Sequence, residues 1–500
     1  MNYLRFISDS KFSNKNSFLL LLSASALFML PIINANIYYV DDISRAQTNF
    51  LGWSGLGRPV SDILLMMFSL GRRGVDVSPL PQILSVFINA VTAYILLKCI
   101  SKENTVNSVL ISAIAISSPL YIQNMVYRYD SLSMSLAVLF SVYAFYISFV
   151  KYRNIVIVAA SLVLSFCLYQ ATMPIFPILI MLGAFKLNKE RESFLTFIIK
   201  WAIVYLTSLL AYKVISGFFV TSTRGDMIFS HENWIEALKS NIESFYWLYV
   251  NAYGHHGDII ISCLILLSFS FIAFSLLKRN NSITNNIFIT IQGFLSITFP
   301  LLALAVSAIF ISILSESLIV PRVALGFGFA MAFIIYTLHY KNHNNLIIFL
   351  ASSIVLFISI CSSYAVMSAT KKQYELDLFL TAQIKTTIES NDRLNGLTFH
   401  TYGRVSESIY SRMVSESYPI ARVINARLYD WTLATQLNGL GAKNIDFTFD
   451  RKSTLEKLIA ACSYGKHEVS TPLYNIFSHS KDAYIVVGEV PKECRLNTSS

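Results

Sequence analysis

Long apolar runs separated by short polar connections fill the first three-quarters of the chain. A helix that crosses a bilayer needs about 20 mostly apolar residues. On that measure the sequence predicts helices over 17–37, 80–100, 106–125, 131–150, 154–169, 172–186, 194–216, 258–277, 287–313, 321–340 and 346–366, about eleven transmembrane helices. Residues 154–186 are too long for one span and short for two. The split is placed at Leu168–Thr172, with Pro174 near the start of the second piece, where proline is tolerated. Between the first two spans, Ile63–Leu70 is apolar but too short to cross. With Asp62 before it and Gly71 after it as a stop, it suits a helix lying in the bilayer interface. Ser78 and Pro79 read as the N-cap and first-turn proline of the second span.

Past Val366 the pattern changes to polar and mixed-charge. Lys371–Ser390 keeps a helical period through Tyr374, Leu376, Leu378, Phe379, Ile384 and Ile388. Strands are predicted at Gly396–Tyr402, Asn444–Phe449 and Ala483–Val487, and helices at Ala421–Leu437 and Ser453–Cys462. Alternating elements of this length predict a small α/β domain of about three strands. The expected fold is therefore a polytopic α-helical membrane domain over 1–366 with a small C-terminal α/β domain over 367–500.

Composition agrees. The chain is 54% hydrophobic and only 14% charged, with a mean hydropathy of +0.55. A soluble chain would carry roughly a quarter charged residues, so a cytosolic enzyme and a nucleic-acid-binding protein are excluded. The formal charge of +10 belongs to the basic edge of a membrane protein. With eleven spans and a cytosolic N-terminus, one set of connections holds Arg5, Lys11 and Lys15; Lys98 and Lys102; Lys151 and Arg153; Lys186, Lys189 and Arg191; Lys278 and Arg279; and Lys341. Cytoplasmic loops carry that bias, and without the split at 168–172 the Lys186–Arg191 cluster would fall on the wrong side. The same alternation puts residues 367–500 outside the cytosol. The first span is longer than a signal-peptide core and runs into Tyr38-Tyr39 without a clear cleavage site, so an uncut anchor is expected. Cys99, Cys167, Cys263 and Cys361 lie in apolar runs, where a thiol packs as a small hydrophobe. Cys462 and Cys494, the two cysteines of the tail, are expected to pair in an oxidising compartment.

The other set of connections gathers acids and bases: Asp41, Asp42, Arg45 and Arg58; Arg128 and Asp130; Arg224, Asp226, His231, Glu232, His255, His256 and Asp258; then Glu316 and Arg322. Charge at a membrane boundary is costly unless paired or hydrated, so such a gathering marks a candidate site. A solvated loop face with local ion pairs is the plainer account of any single member. Asp41-Asp42 stands apart, because two adjacent carboxylates repel and Arg45 is a natural counter-charge. One carboxylate held near neutral pKa by its twin makes a usable base. His255-His256 lacks the Glu-x-x-His or His-x3-His spacing of a metal site. No cofactor motif is found, and a divalent cation requirement stays open. No glycine-rich phosphate loop is present to cradle a soluble nucleotide.

Three segments carry a family likeness: Tyr38-Tyr39-Val40-Asp41-Asp42-Ile43-Ser44-Arg45, Gly57-Arg58-Pro59, and Asp76-x-Ser78-Pro79-Leu80-x-Gln82-Ile83-Leu84. They resemble the serotype-converting, type-specific O-antigen glucosyltransferases of bacteriophages and enterobacteria. The likeness is most specific over residues 38–84 and architectural beyond. It implies a multi-pass protein of the bacterial inner membrane, similar to the lipid-donor GT-C glycosyltransferases, with a periplasmic C-terminal domain. It further implies glucosyl transfer from undecaprenyl-phosphate-glucose to lipid-linked O-antigen, with the catalytic acid in the first external loop. Asp41 and Asp42 match that position. Leaving lipid phosphate calls for cations, and Arg45, Arg58, Arg128 and Arg322, with Asp130 beside them, are the candidates for binding it and the substrate. Trp53, Tyr38 and Trp247 could stack on sugars or belong to an interfacial aromatic belt. An O-antigen polymerase and a polysaccharide or lipid flippase are the competing readings.

Overall fold

The computed structural model describes residues 8, 10–150, 154–187, 194–221, 228–230, 233–279, 287–314, 318–341, 345–448 and 450–495, and is mostly helical. Among the described residues, seven helical stretches are long and apolar enough to cross a membrane: Asn14–Ala35, Leu80–Ile100, Val106–Val126, Ser131–Phe149, Gln170–Leu187, Leu195–Gly217 and Asn345–Ser390. Ile155–Leu168, Gly257–Ser270, Thr298–Ser312 and Gly326–Leu338 are apolar over only 10–17 residues. Length and composition therefore support seven crossings directly, against the eleven expected. Arg5, Lys151, Arg153, Lys189, Arg191, Arg224, Asp226, His231, Glu232 and Glu316, singled out above, lie outside the described residues.

Lipid offers no partner for backbone groups, so helix ends need caps. Ser13 accepts the Asn16 N–H, Thr105 the Ser108 N–H, and Asn154 the Val156 and Ile157 N–H groups. Between helices, small hydroxyl residues let backbones approach: Ser165 Oγ lies 2.7 Å from Ala137 O and 2.9 Å from Ser141 Oγ. At one end of the bundle, Lys98 reaches Asn14 and Asn104, Lys11 pairs with Glu103 at 2.6 Å, and Lys186 reaches Cys99 O. The opposite end collects the connections after Ala35, Ile116 and Leu168, the turn Pro321–Val323, and the tail.

The second span begins at Leu80, and Pro81 rather than Pro79 occupies its first turn. Ser78 makes no cap; its N–H is instead taken by Asp76 Oδ1 at 2.8 Å. The interfacial segment forms the helix Pro59–Ser69, closed by Leu70 rather than Gly71 in the left-handed region. Ile63, Met67 and Leu70 face outward along one stripe, Leu70 at 94% exposure, while Ser61, Asp62 and Leu65 are buried.

Asn345–Ser390 is one unbroken helix of 46 residues, and the expected division at 366/367 falls inside it. Its far end carries Leu380, Ile384 and Ile388 onto a four-stranded sheet: β1 (Thr398–Gly403), β2 (Lys466–Ser470), β3 (Tyr474–His479) and β4 (Asp482–Val487), in the order β1-β4-β3-β2. β1 runs parallel to β4; the other pairs are antiparallel. Helix Asp430–Gly439 packs on the same face through Leu433 and Leu437. Helix Arg451–Tyr464 covers the other face, where Leu458 meets Phe477, Tyr484 and Val486. Three expectations change. Ala421–Leu437 is not one helix but Ala421–Ile424 and Asp430–Gly439, because Leu428 N–H is drawn to Asp377 Oδ2 at 3.0 Å. Of the expected strand Asn444–Phe449, the described residues 444–448 contribute only a bridge from Ile445 to Phe399. β2 and β3 were not expected, and they bring the strands to four.

A disulfide joins Cys462 to Cys494 across a separation of 32 residues. A closed loop of that length stabilises a fold by about 3–4 kcal/mol. Cys494→Ser should therefore lower the thermal midpoint of the tail in the detergent-solubilised protein. Wild type under reductant should match the variant, and equal midpoints throughout would refute the contribution.

Candidate active site

The two carboxylates of the first loop have different surroundings. After Asn36 caps the first helix, Val40 adopts φ 47° and ψ -99°, a positive-φ conformation that a β-branched residue reaches only under strain. Helix Asp41–Thr48 starts at the next residue. Asp42 is fully buried at 0% exposure; its Oδ2 accepts the N–H groups of Tyr39 at 3.2 Å and Arg128 at 3.0 Å. Its Oδ1 is buried without a hydrogen-bond partner. Burial drives this carboxyl well above the ordinary range, opposed by the Arg128 and Tyr39 N–H groups and helped by the Asp130 and Asp41 charges. Asp42 thus ties the first loop to residues 127–130 through the Tyr39 and Arg128 N–H groups. Asp41 is partly exposed and lies within electrostatic reach of Arg322, Tyr39, Tyr127 and Tyr429.

Arg322 is fixed through its backbone. Its N–H donates to Gln123 Oε1 at 2.9 Å, and its carbonyl accepts from Asn124 Nδ2 and the Tyr169 hydroxyl, both at 3.0 Å. The guanidinium donates to the Tyr127 hydroxyl and lies 5.2 Å from that ring's centroid. Tyr127 packs edge-on against Tyr39, whose hydroxyl donates to Ile424 O at 2.6 Å and accepts from Gln123 Nε2 at 3.0 Å.

Tyr169 leads from Arg322 to Arg58, whose guanidinium lies 4.5 Å over its ring. Arg58 Nε donates to Gln170 Oε1 at 2.9 Å, and Nη1 lies 3.8 Å from Asp130. This corner is tight at Gly57 (φ 78°), where a Cβ would meet the Tyr212 hydroxyl at 2.8 Å and Gln170 Nε2 at 2.9 Å. Asp130 also accepts the indole N–H of Trp53, and Asp62 accepts the Trp53 and Ser54 N–H groups at 3.0 and 2.6 Å. Trp53 is buried, with Arg45 lying 3.5 Å over its ring, so it offers no face to a sugar.

Asp41, Asp42, Arg45, Arg58, Arg128, Asp130 and Arg322 therefore meet at one end of the bundle, with unequal freedom. Arg45 is held by the carbonyls of Phe50 and Leu51. Arg128 pairs with Asp76 at 3.0 Å, donates to Asn36 at 3.0 Å and covers Tyr38. Tyr169 links the other two, with the Arg58 guanidinium over its ring and its hydroxyl on the Arg322 carbonyl. Trp247 lies apart, on helix Trp234–Val250, at an open groove with Leu248, Ile319 and Val423. His255 and His256 stand ring to ring at 5.0 Å, and among the described residues no three metal-ligating side chains come together. Sequence reading missed Gln123, Asn124, Tyr127, Tyr169, Gln170 and Tyr429. Gln123-Asn124 inside an apolar run was the available signal for two of them.

The tail is clamped to this end through Asp377, which accepts from Gln373 Nε2 at 2.8 Å and Leu428 N–H at 3.0 Å. Burial pushes its carboxyl up to about 7, against those donors and the charges of Arg427 and Arg404. An unfolded aspartate titrates near ~3.9, so the folded form holds an extra proton between roughly 4 and 7. This group's stabilisation is complete below about pH 4 and lost as pH rises through 7, a change of up to ~4 kcal/mol. Thermal unfolding of the detergent-solubilised protein should show that fall, and Asp377→Asn should flatten it. Identical pH slopes would reject the assignment.

The long apolar helices are those of a membrane-embedded protein, with carboxylates and arginines gathered at one end of the bundle. Residues 30–333 match the family described as Glucosyl transferase GtrII, and the chain belongs to that family. The family implies a glucosyltransferase acting in O-antigen serotype conversion. The chain is also 24% identical over 439 residues to a Salmonella phage P22 protein described as an uncharacterized 55.3 kDa protein in the gtrB 5' region, covering 84% of this chain and 89% of that protein. No solved structure matches the chain.

Proposed function

We propose that this protein moves a glucosyl residue from undecaprenyl-phosphate-glucose to lipid-linked O-antigen on the periplasmic face of the inner membrane. Residues 1–366 form its membrane domain of eleven spans, and residues 367–500 its periplasmic domain. Asp41 is the general base. The observation that carries this reading is a partly exposed Asp41 within electrostatic reach of Arg322, beside a buried Asp42 whose Oδ2 is engaged by two backbone N–H groups.

In the reaction, Asp41 takes the proton of an acceptor hydroxyl as its oxygen attacks the anomeric carbon. The bond from that carbon to the phosphate oxygen breaks, and polyprenyl phosphate leaves with the electron pair. Arg322 and Arg58 meet the charge that develops on the phosphate. A single displacement inverts the anomeric centre. The exposed stripe of Ile63, Met67 and Leu70 suits the interface at which a polyprenyl-bound sugar must be met.

The test is mass analysis of the surface-polysaccharide repeat unit with and without the gene, alongside its gel ladder. One added hexose per repeat at unchanged chain lengths is expected. An altered length distribution without the added hexose would overturn the reading in favour of polymerisation, and loss of all surface polymer in favour of flipping.

A further inference from the structure

Helix Asp41–Thr48 is held from two sides, and the second of them is the C-terminal domain. On the bundle side, Asp42 takes the Arg128 N–H at 3.0 Å. On the other side, Ile43 is 8% exposed and belongs to the apolar core between the sheet and helix Asp430–Gly439, with Leu380, Leu433 and Leu437. Tyr38 packs against the same core. Gln47 lies four residues after Ile43, on the same helix face. There the helix closes on helix Asp430–Gly439, and a Cβ at Gly439 would fall 2.7 Å from Gln47 Cδ and 3.3 Å from Cγ. The two helices thus meet where one of them has no side chain.

The backbone between these anchors is under strain. Val40, with φ 47° and ψ -99°, directly precedes Asp41, and such a conformation persists only where its surroundings hold it. The holds lie on either side of it in sequence. Before it, the Tyr39 hydroxyl donates to Ile424 O at 2.6 Å; after it, Ile43 is seated in the core. Both reach residues beyond 367, so the C-terminal domain grips the turn that carries Asp41 at each end. Among the described residues, the Asp41 carboxylate makes no hydrogen bond or ion pair. Its place is therefore set by the backbone that carries it.

From this geometry we infer that Ile43 is a positioning residue for glucosyl transfer: seated in the core of the C-terminal domain, it fixes helix Asp41–Thr48 and through it the place of Asp41. The inference rests on the glucosyl-transfer reading and deepens it, because it makes the C-terminal domain a structural part of the reaction centre. Ile43 touches no substrate. Releasing it displaces the base without removing a binding contact, so the effect falls on kcat rather than KM.

The test measures steady-state transfer by the full chain in detergent, per mole of folded protein, with undecaprenyl-phosphate-glucose as donor and lipid-linked O-antigen as acceptor. Ile43→Ala should lower kcat by about 10–100-fold with KM unchanged, the effect of a base displaced by about 1 Å. Ile43→Val, which keeps most of the buried side chain, should retain wild-type kcat. Ile476→Ala truncates the same core from β3 rather than from the first loop, and should keep wild-type kcat however far it lowers the thermal midpoint. The closeness of Gln47 to a Cβ at 439 also suits a Gln47→Cys, Gly439→Cys pair to a disulfide. Closing that cross-link should leave kcat intact in the otherwise wild-type chain and return most of the kcat lost in Ile43→Ala. Equal kcat in Ile43→Ala and Ile476→Ala, or transfer lost on closing the cross-link in the otherwise wild-type chain, would overturn the positioning role. Absence of any glucosyl transfer by wild type in the same assay would instead overturn the functional reading beneath it.

Discussion

Asp41→Asn is expected to reduce glucosyl transfer by roughly 10²–10⁴-fold, the usual contribution of a positioned base, while Asp42→Asn stays within about tenfold of wild type. The neighbours differ because the fold gives them different electrostatic lives. Asp42 is buried and its carboxyl is pushed well above the ordinary range, so an asparagine of the same shape suits a site that disfavours charge. The asparagine Oδ1 can take over both N–H groups, from Tyr39 and Arg128. Its amide nitrogen then occupies the pocket where Asp42 Oδ1 has no partner, at a stability cost of ~1–3 kcal/mol. The penalty falls on folding yield rather than on the transfer step. Asp41 has no such substitute, since asparagine cannot take a proton from a hydroxyl. Labelled-sugar transfer in membranes, normalised to the amount of each variant present, measures both. An active Asp41→Asn with a dead Asp42→Asn would reverse the roles.

Arg322→Lys is expected to lower kcat and kcat/KM together by about 10²–10³-fold, as when a preorganised donor to developing charge is removed. Charge is retained, so the loss measures geometry. The guanidinium plane is set by Tyr127 and by a backbone clamped between Gln123, Asn124 and Tyr169. A lysine ammonium keeps a point charge but loses the fork that binds two phosphate oxygens. Arg128→Lys, by contrast, should act mainly through stability, because Arg128 is committed to Asp76 and Asn36. A rise in KM alone for Arg322→Lys would remove it from the reacting centre.

Hydropathy made the apolar helices legible because lipid imposes the same demand along each of them, and even the break after Leu168 follows from length. Asp41-Asp42 was legible because a double negative charge directly after a span has few structural uses. The difference between the two was not, because it depends on Arg128 N–H, some 86 residues away in sequence. Tyr127 and Tyr169 look like ordinary interfacial aromatics until Arg322 and Arg58 come beside them. In the tail, Asn425–Tyr429 has nothing in its sequence that forbids a helix; the break belongs to a buried carboxylate on another element. β3, reading Tyr-Asn-Ile-Phe-Ser-His, lacks clean alternation because both its faces are covered.

Helix Asn345–Ser390 reaches from the bundle into the sheet without a joint, and at 1.5 Å per residue its 46 residues measure about 69 Å. It behaves as a mast. The position of the sheet relative to the apolar half of this helix is set by a rigid rod rather than by a flexible linker. Lengthening the mast by a single residue would swing everything above it by about 100°, whereas a whole extra turn would lift it by ~5.4 Å with its heading nearly unchanged.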